Sequence, residues 1–409
     1  MTTKKNNTPK RILLICQHFF PEMISTGMHM TELSQGLTKL GWQITVISSQ
    51  PSLLIDSANP IVPNQMEYQG IKIIRTRSIG SHAGTLTSRL LFGLSYLWGS
   101  VLFLLRYYRN YDGLLITTNP PFLGIAGYIA KKILHKPFVL IVYDIYPDVL
   151  VRLGVFKSSS LIAKMWDCLS RLVMNSADAN VVIGRDMMEI VKAKLKPKSH
   201  DKISIIPNWS NELSIWPVPP LTNVFRKEHC PENTFLVQYS GRMARTHNLE
   251  PLIEAAEILK EQPIIFQFIG DGAKKVILQE MVRSKKLNNV QFLPYQPIDQ
   301  LAQVLSAANL AVICLRSEFT GLSVPSKAYG IMASGTPLLG FLDPESEIGR
   351  VILENNCGFV LRDPNAEQVA EIIQDLARNP VRLDKIGINA QVAFEKNYTL
   401  TNASILYRQ

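Results

Sequence analysis

Hydrophobic and polar positions form two long series along the chain, and each series predicts strands that alternate with helices. In the first series, short continuous apolar runs, typical of buried parallel strands, are separated by segments with apolar residues at helical spacing. The predicted strands are 11–16, 43–48, 113–117, 138–143, 181–183 and 203–206, and the predicted helices are 28–40 and 122–134. This rhythm predicts a doubly wound parallel sheet with right-handed crossovers.

A proline-rich polar segment at residues 209–233 interrupts this alternation of strands and helices, and it predicts a linker or hinge. A second series follows, with strands at 235–239, 264–269, 290–293 and 310–315 and helices at 249–259, 325–333, 351–354 and 366–376. We therefore expect an α/β protein of two Rossmann-like doubly wound domains, residues 1–212 and 213–409, facing a cleft. The last helix is expected to pack back on the first domain, and the cleft is the expected ligand site.

The composition narrows the possible partners. The 409 residues include 43 Lys+Arg and 33 Asp+Glu, a net charge of +10, with 46% hydrophobic and 19% charged residues. A soluble protein has about 25% charged residues, so the composition favours contact with something apolar and anionic. A membrane surface, a nucleic acid and phosphate-bearing substrates all fit, although the basic residues form no aromatic-interleaved motif of nucleic-acid binders.

Cysteine usage and the N-terminus predict a cytoplasmic protein. The five cysteines are odd in number and widely spaced, which argues against a disulfide framework or a zinc site. Met1–Arg11 is polar and basic, and we expect it to be a disordered arm that leads into the first strand. The apolar run that follows is too short for a signal peptide.

Leu90–Leu105 is a sixteen-residue stretch without a charge, bracketed by Arg89 and Arg106. A spanning helix needs roughly 18–20 such residues. Three interpretations stay open. The segment could be an interior helix buried on all sides, or a helix that enters one leaflet with Trp98 and Tyr96 near the headgroups and arginines on lipid phosphates, or a tilted span.

The second domain contains the stronger chemical signals. Arg242, Arg245 and His247 follow its first predicted strand, where guanidinium groups can hold a diphosphate, although arginines in such loops also serve solubility. The next strand ends in Gly270-Asp271-Gly272, a tight turn that allows a ligand to approach the backbone. A further segment, Glu318–Pro337, follows a strand, and there Ser326 and Lys327 offer donors at a helix start that Pro325 marks.

The first domain offers weaker signals. Gly27 opens the first helix, where an anion site and a plain helix-entry glycine are equally consistent. Asp144 and Asp148 flank Tyr146 at a strand end, and they could bind sugar hydroxyls or orient an acceptor; capping of the next helix by Asp148 is the alternative. The glycine fingerprint of nicotinamide dehydrogenases is missing.

Six segments in order resemble one family over nearly the whole chain. They are Pro21-Glu22 to Gly27, Ile145–Asp148, Ile206-Pro207-Asn208, Gly241-Arg242 to His247, Ile269–Gly272, and Val324-Pro325-Ser326-Lys327 to Pro337. Together they resemble the GT-B-fold retaining glycosyltransferases of family four, most closely the subgroup that builds bacterial exopolysaccharide and O-antigen units, with its fucosyl- and N-acetylfucosaminyl-transferase-like members.

The resemblance implies a retaining transfer from a nucleotide-diphosphate sugar, UDP- or GDP-linked, to a lipid-linked or polysaccharide-precursor acceptor in bacterial surface glycan biosynthesis. The donor would bind mainly to the second domain and the acceptor to the first. No metal or other cofactor is expected. The enzyme would act in the cytoplasm, peripherally at the inner face of an anionic membrane, and nucleic acid would not be a partner.

The family's roles transfer position by position. Arg242 matches the phosphate-binding arginine, and His247 falls about where many members have a lysine. Arg245 is expected to share the role of that lysine. The predicted site residues are catalytic Arg242, Arg245 and Asp144; donor-binding Gly27, Gly241, His247, Asp271, Tyr295, Glu318, Gly321, Leu322, Ser323, Ser326 and Lys327; and acceptor-binding Glu22 and Asp148.

The chain departs from the family pattern at its paired glutamates. Gly330 stands where the ribose-binding glutamate usually is, Leu322 stands eight residues earlier, and Glu318 is out of register. Tyr143 replaces a histidine of the first domain. An inactive nucleotide-sugar-binding or scaffold subunit and a nucleotide-sugar epimerase of the same fold are therefore the alternative functions.

Overall fold

The computed structural model describes residues 9–22, 24–51, 62–79 and 85–409. The chain divides into two units: Met1–Pro207 together with Leu400–Gln409, and Asn208–Thr399. The division falls after Pro207, five residues before the boundary expected from the sequence. Residues 1–8 of the predicted basic arm lie outside the described residues.

The first unit is built on an eight-stranded sheet. Its strands are β1 (Arg11–Ile15), β2 (Gln43–Ser48), β3 (Gln65–Tyr68), β4 (Ile71–Arg75), β5 (Gly113–Thr117), β6 (Phe138–Val142), β7 (Ala179–Val182) and β8 (Ile203–Ile205), in the order β3-β4-β2-β1-β5-β6-β7-β8. All neighbours pair in parallel except β3 with β4. The antiparallel edge hairpin was missed because its residues 65–68 lack an apolar run.

Six helices follow these strands: α1 (Ser25–Lys39), α2 (Leu86–Tyr107), α3 (Gly124–Lys132), α4 (Asp148–Arg152), α5 (Leu161–Ser176) and α6 (Arg185–Lys194). Right-handed crossovers to opposite sides of β1 place α1 on one face of the sheet and α2, α3, α5 and α6 on the other. Within that layer α3 packs against both α2 and α5.

The helix α2 has one buried face and one exposed face. Its buried face is fixed to the sheet by Tyr96, which is fully buried and donates a 2.8 Å hydrogen bond to the carbonyl of Ile47. The expected position of Tyr96 near lipid headgroups is therefore wrong. The opposite face exposes Leu94 and Trp98, the latter 65% accessible. The interpretation of residues 90–105 as a helix buried on all sides is therefore wrong.

By length and composition the helical segment Thr87–Asn110 could cross a bilayer. Core helices of soluble proteins pass the same test, so this finding alone is weak evidence for a span.

The second unit contains a six-stranded, fully parallel sheet. Its strands are β9 (Phe235–Ser240), β10 (Ile264–Ile269), β11 (Val290–Leu293), β12 (Leu310–Cys314), β13 (Leu338–Phe341) and β14 (Gly358–Leu361). Their order is β11-β10-β9-β12-β13-β14, which is the Rossmann order 3-2-1-4-5-6. Both units thus have the predicted α/β architecture.

Eight further helices belong to the second unit: α7 (Val224–His229), α8 (Glu250–Ile258), α9 (Lys275–Ser284), α10 (Leu301–Ser306), α11 (Lys327–Ala333), α12 (Glu347–Glu354), α13 (Ala366–Arg378) and α14 (Pro380–Asn397). The expected helix start at Pro325 is two residues too early. The last helix, α15 (Leu400–Arg408), is grouped with the first unit and packs on α1.

The contact of α3 with the sheet predicts opposite effects for two Gly→Ala changes. A Cβ at Gly127 would lie 2.5 Å from Cδ2 of Phe138, whereas a Cβ at Gly93 of α2 would meet nothing closer than Pro120 at 3.6 Å. We expect Gly127→Ala to lower the free energy of unfolding by about 1–3 kcal/mol through overpacking. Gly93→Ala should leave it unchanged or raise it, because alanine favours the helix. Urea melts of both variants provide the measurement, and equal effects would contradict the packing described for α3.

Candidate active site

In the sheet of the second unit, β10 and β11 lie on one side of β9, and the strands that follow them in sequence, β12 to β14, lie on its other side. The loops after β9 and β12 therefore run to opposite sides, which opens a crevice at the carboxyl ends of these strands, the usual ligand position in such sheets. Apart from Gly27, which lies in the first unit, the predicted donor-binding residues follow four neighbouring strands: Gly241 and His247 after β9, Asp271 after β10, Tyr295 after β11, and Glu318, Gly321, Leu322, Ser323, Ser326 and Lys327 after β12. The predicted catalytic residues Arg242 and Arg245 also follow β9.

Two glycine turns hold the loops after β9 and β10 against each other. Gly270 has φ +124°, and a Cβ there would lie 2.3 Å from the carbonyl oxygen of Gly241. The amide of Met243 donates to the carbonyl of Asp271 at 2.8 Å, and the amide of Gly241 donates to Ile269 at 2.9 Å. Side chains at these positions would separate the two loops, so the glycines bring the Arg242 and Asp271 segments together.

A second set of contacts connects the loop after β9 with the start of α11. The Nζ of Lys327 lies 3.6 Å from the ring centroid of buried Tyr239 and donates to the carbonyl of Ser240 at 3.4 Å. It also lies 3.5 Å from where a Cβ on Gly241 would be. An ammonium group held over an aromatic face is stabilised by the ring quadrupole. The structure thus places Lys327 beside the loop of Arg242, although more than eighty residues separate them.

Burial changes the pKa values of His247 and Lys327. The pKa of His247 is lowered to about 3, first by burial and then by the charge of Lys327. Its Nδ1 shares a 2.7 Å hydrogen bond with the hydroxyl of Tyr239. Burial also lowers the pKa of Lys327 to about 7. At neutral pH the imidazole is uncharged, so it does not replace a lysine as a cation. An oxyanion beside Lys327 would favour its protonated form.

The remaining loop residues differ in accessibility. Arg242 and Arg245 are exposed, and Tyr295 is 57% exposed beside Gly270. Glu318 forms a 2.6 Å ion pair with Arg316, whose amide donates to Thr246 and so ties the β12 loop to the β9 loop. The side chain of Leu322 is buried, which leaves its backbone for a ligand.

In the first unit, Glu22 is part of a buried pair that the sequence analysis missed. Its Oε2 lies 2.8 Å from Nδ1 of His18, and both side chains are at most 2% exposed. A Cβ on Gly27 would lie 3.2 Å from the carbonyl carbon of His18, so the glycine also serves the close packing of α1 on this loop. The i,i+4 spacing of His18 and Glu22 directly after a strand was the available signal.

Asp144 and Asp148 occupy different environments. Asp144 is half-buried after β6, where it lines a small cavity with Phe122, Tyr146 and Trp166. Asp148 pairs with buried Lys194 of α6 at 2.7 Å. Its carboxylate makes no capping hydrogen bond, because Pro147 is the N-cap and Asp148 the first residue of α4. The capping interpretation is therefore wrong.

Lys194 makes a second ion pair, with Asp167 of α5 at 2.5 Å. The carboxylate of Asp148 thus belongs to a network that links three helices. Across the described ranges, 9–22, 24–51, 62–79 and 85–409, no group of three or more His, Cys, Asp or Glu side chains is arranged to hold a metal ion.

Two family models match the chain, one on each half. The model "Glycosyltransferase Family 4" matches residues 26–211, and "Glycosyl transferases group 1" matches residues 222–393. The chain is a GT-B glycosyltransferase. The loops at the carboxyl edge of β9, β10 and β12 therefore lie within the group 1 half of a transferase.

Individual proteins agree with the family. The chain is 27% identical to the probable glycosyltransferase WbjE of Pseudomonas aeruginosa over 95% of this chain and 94% of that protein. It is 24% identical to the putative colanic acid biosynthesis glycosyl transferase WcaI of Escherichia coli K12, over 83% and 85%. The crystal structure of Anabaena HepE with UDP and glucose superposes with a TM-score of 0.72 at 15% identity, over 97% and 98%, which shows the common fold.

The buried imidazole of His247 predicts a specific acid sensitivity. Its folded-state pKa of about 3 lies below the ordinary value of 6.5, so the unfolded chain takes up the proton first. The stability that neutral His247 contributes is therefore complete above pH 6.5 and is lost as the pH falls toward 3. The wild type should lose unfolding free energy as the pH falls below 6. We expect this loss to be smaller in His247→Gln, by about 1 kcal/mol for each pH unit, because glutamine does not take up a proton. Urea melts at pH 7, 6, 5 and 4 measure it, and parallel pH profiles of the two proteins would contradict a neutral buried imidazole.

Proposed function

We propose that this glycosyltransferase moves a sugar from a nucleoside-diphosphate donor to a lipid-linked acceptor, with retention of the anomeric configuration, in the synthesis of a bacterial surface glycan. The observation that supports the donor site most strongly is the contact of Lys327 with Tyr239 and the Gly241 turn at the switch point of the Rossmann sheet. A cation and close-packed glycine backbone at that place suit a diphosphate.

The chemistry of the donor site follows from its charges. Breaking the bond between the sugar and the diphosphate leaves negative charge on the phosphate oxygens, which cationic side chains stabilise. Arg242 would hold that charge with its planar fork, and Arg245 would assist. Lys327 would take up a proton as the diphosphate binds, since its pKa lies near 7.

Retention is proposed from the family resemblance. A donor phosphate oxygen would assist removal of the acceptor proton, so that no protein carboxylate has to act as the base. Asp144 would then orient the acceptor. No metal is proposed for the reaction, and an assay in EDTA tests this point directly.

We propose UDP-linked sugars as the first donors to test. The structure of HepE, which has the same fold, contains UDP and glucose. The resemblance to fucosyl- and N-acetylfucosaminyl-transferase-like members favours a deoxyhexose as the transferred sugar. GDP-linked sugars are the second group of donors to test.

The acceptor is proposed to be held in the cytoplasmic leaflet of an anionic membrane. The exposed face of α2, with Leu91, Leu94, Trp98, Leu102 and Leu105, supports this arrangement. Spacings of three and four residues align these side chains along one side of the helix. A helix of this kind lies in the interface, with Arg89 and Arg106 at its ends near lipid phosphates. The similarity to WcaI, a putative colanic acid biosynthesis glycosyl transferase, supports a surface glycan as the product.

Removal of the guanidinium group of Arg242 tests the donor site. We expect Arg242→Ala to weaken binding of the preferred nucleotide sugar and to lower kcat/KM about 100-fold, because one lost charge-stabilising donor costs this much in comparable sites. Exposed Arg378 on α13 offers the matched control, Arg378→Ala. Thermal shifts with UDP-, GDP- and dTDP-sugars, followed by turnover assays with and without EDTA, give the measurement.

Each outcome of that experiment has a meaning. Unchanged kinetics of Arg242→Ala would remove this arginine from the mechanism. Selective donor binding without any turnover would favour the inactive-subunit alternative. Loss of turnover in EDTA would contradict the metal-free proposal.

The membrane proposal is tested on α2. We expect the triple variant Leu94→Ser, Trp98→Ser and Leu102→Ser to lose most binding to vesicles of phosphatidylethanolamine and phosphatidylglycerol, because it removes apolar area available for insertion. Leu97 is unsuitable as a target because it is half-buried. The control replaces Val381, Ile388 and Val392, three exposed apolar residues on α14, by Ser. Co-sedimentation of the α2 variant at the wild-type level would refute the proposal.

A further inference from the structure

We propose that the outer face of α5 is a second lipid-contacting surface, and that it and the exposed face of α2 dock the first unit on an anionic membrane along two lines. The inference rests on the membrane association proposed above and extends it to a helix with no assigned role. Its support is the placement of two exposed apolar stripes on one helix layer.

The helix α5 has apolar residues on both of its sides. Its inner side buries Ala163, Trp166, Val173 and Met174. On the outer side Leu161 is 72% exposed, Met165 64% and Leu172 47%, and Cys168 between them is also exposed. The separations of four, three and four residues align these four positions on one face. A solvated helix face normally has polar residues at such positions, so this stripe requires a partner.

The inner contacts fix which side of α5 faces outward. Trp166 lies between the rings of Phe122 and Tyr146, with centroid distances of 4.2 and 5.9 Å. Asp167 is held by Lys194 of α6. A rotation of α5 that buried the outer stripe would break both sets of contacts. The stripe is therefore a stable feature of the surface.

The two stripes lie on the same side of the sheet. The helix α3 packs against α2 on one side and against α5 on the other. The contact with α5 is close, since a Cβ on Gly124 would lie 2.6 Å from Cγ1 of Val173. Neighbouring helices pack about 8–10 Å apart, which puts the stripes roughly 20 Å from each other. Two separated lines of contact define a plane, whereas α2 alone would allow the unit to roll about its axis.

The charges around the stripes favour anionic lipid as the occupant. Between residues 76 and 143 the sequence has one acidic residue, Asp112, and seven basic residues: Arg77, Arg89, Arg106, Arg109, Lys131, Lys132 and Lys136. Asp112 is bound to Arg11, and among the basic residues Lys131 is paired with Asp178. Residues 149–166 contain Arg152, Lys157 and Lys164 and no acidic residue. Basic residues near an anionic bilayer are attracted to its surface, so electrostatic attraction would add to the apolar contact.

The test compares two helices in the full-length protein. The α5 variant carries Leu161→Ser, Met165→Ser and Leu172→Ser, and it is measured beside the α2 and α14 triple variants described above. Vesicles of phosphatidylethanolamine with phosphatidylglycerol provide the anionic surface, and phosphatidylcholine vesicles the neutral one. Circular dichroism melts verify that each variant is folded.

We expect the α5 variant to lose about tenfold in affinity for the anionic vesicles, while the α14 variant binds like the wild type. The α5 variant should also raise KM for a membrane-held acceptor, with KM for the nucleotide sugar unchanged. Charge reversal at Lys157 and Lys164 should weaken binding to anionic vesicles and leave binding to phosphatidylcholine unaffected.

Three results would overturn the inference. If the α5 variant binds vesicles like the α14 variant while the α2 variant is released, the second surface does not exist and the proposed membrane function stands. If neither variant is released, both proposals fail. If the wild type is oligomeric in light scattering and only the α5 variant becomes monomeric, the stripe is a protein interface and not a lipid surface.

Discussion

In the second unit, right-handed crossovers carry the chain first to one side of β9 and then to the other, and this reversal determines where the chemistry lies. The loops after β9 and β12 leave the sheet toward opposite faces, which opens a crevice between them. Both loops lie at the carboxyl edge of the sheet, so their backbone amides and cationic side chains border the same crevice. Because all six strands are parallel, residues from distant parts of the sequence reach the same edge.

Burial changes the pKa values of the side chains at this edge of the sheet. Lys327 lies over the ring of Tyr239, and His247 is held against the hydroxyl of the same residue. Burial lowers the pKa of both groups, so the imidazole is neutral and the ammonium group is responsive to a nearby anion. The chain thus provides a cation from the start of α11 near the place where the loop after β9 has a neutral histidine.

The first unit uses its helix layer differently. The sheet covers one side of α2 and of α5, and specific contacts of Tyr96 and Trp166 fix both helices. Their outer sides remain apolar among basic residues, which suits an interface between water and lipid more than bulk water. A transferase with a lipid-linked acceptor would benefit from a fixed orientation on the membrane, because the acceptor's reactive end lies at a set height above the leaflet.

The sequence by itself determined most strands, the two-unit α/β architecture and the position after the strands of the loops that contain the predicted donor residues. These features arise from local apolar runs and glycine turns, which need no distant partner. It missed the edge hairpin β3–β4, the pairing of His18 with Glu22 and the approach of Lys327 to Tyr239. It also left open which side of the 90–105 helix was buried. Only the tertiary structure decided these points, because burial and side-chain contacts depend on residues far apart in the chain, and one-dimensional spacing does not specify which distant groups meet.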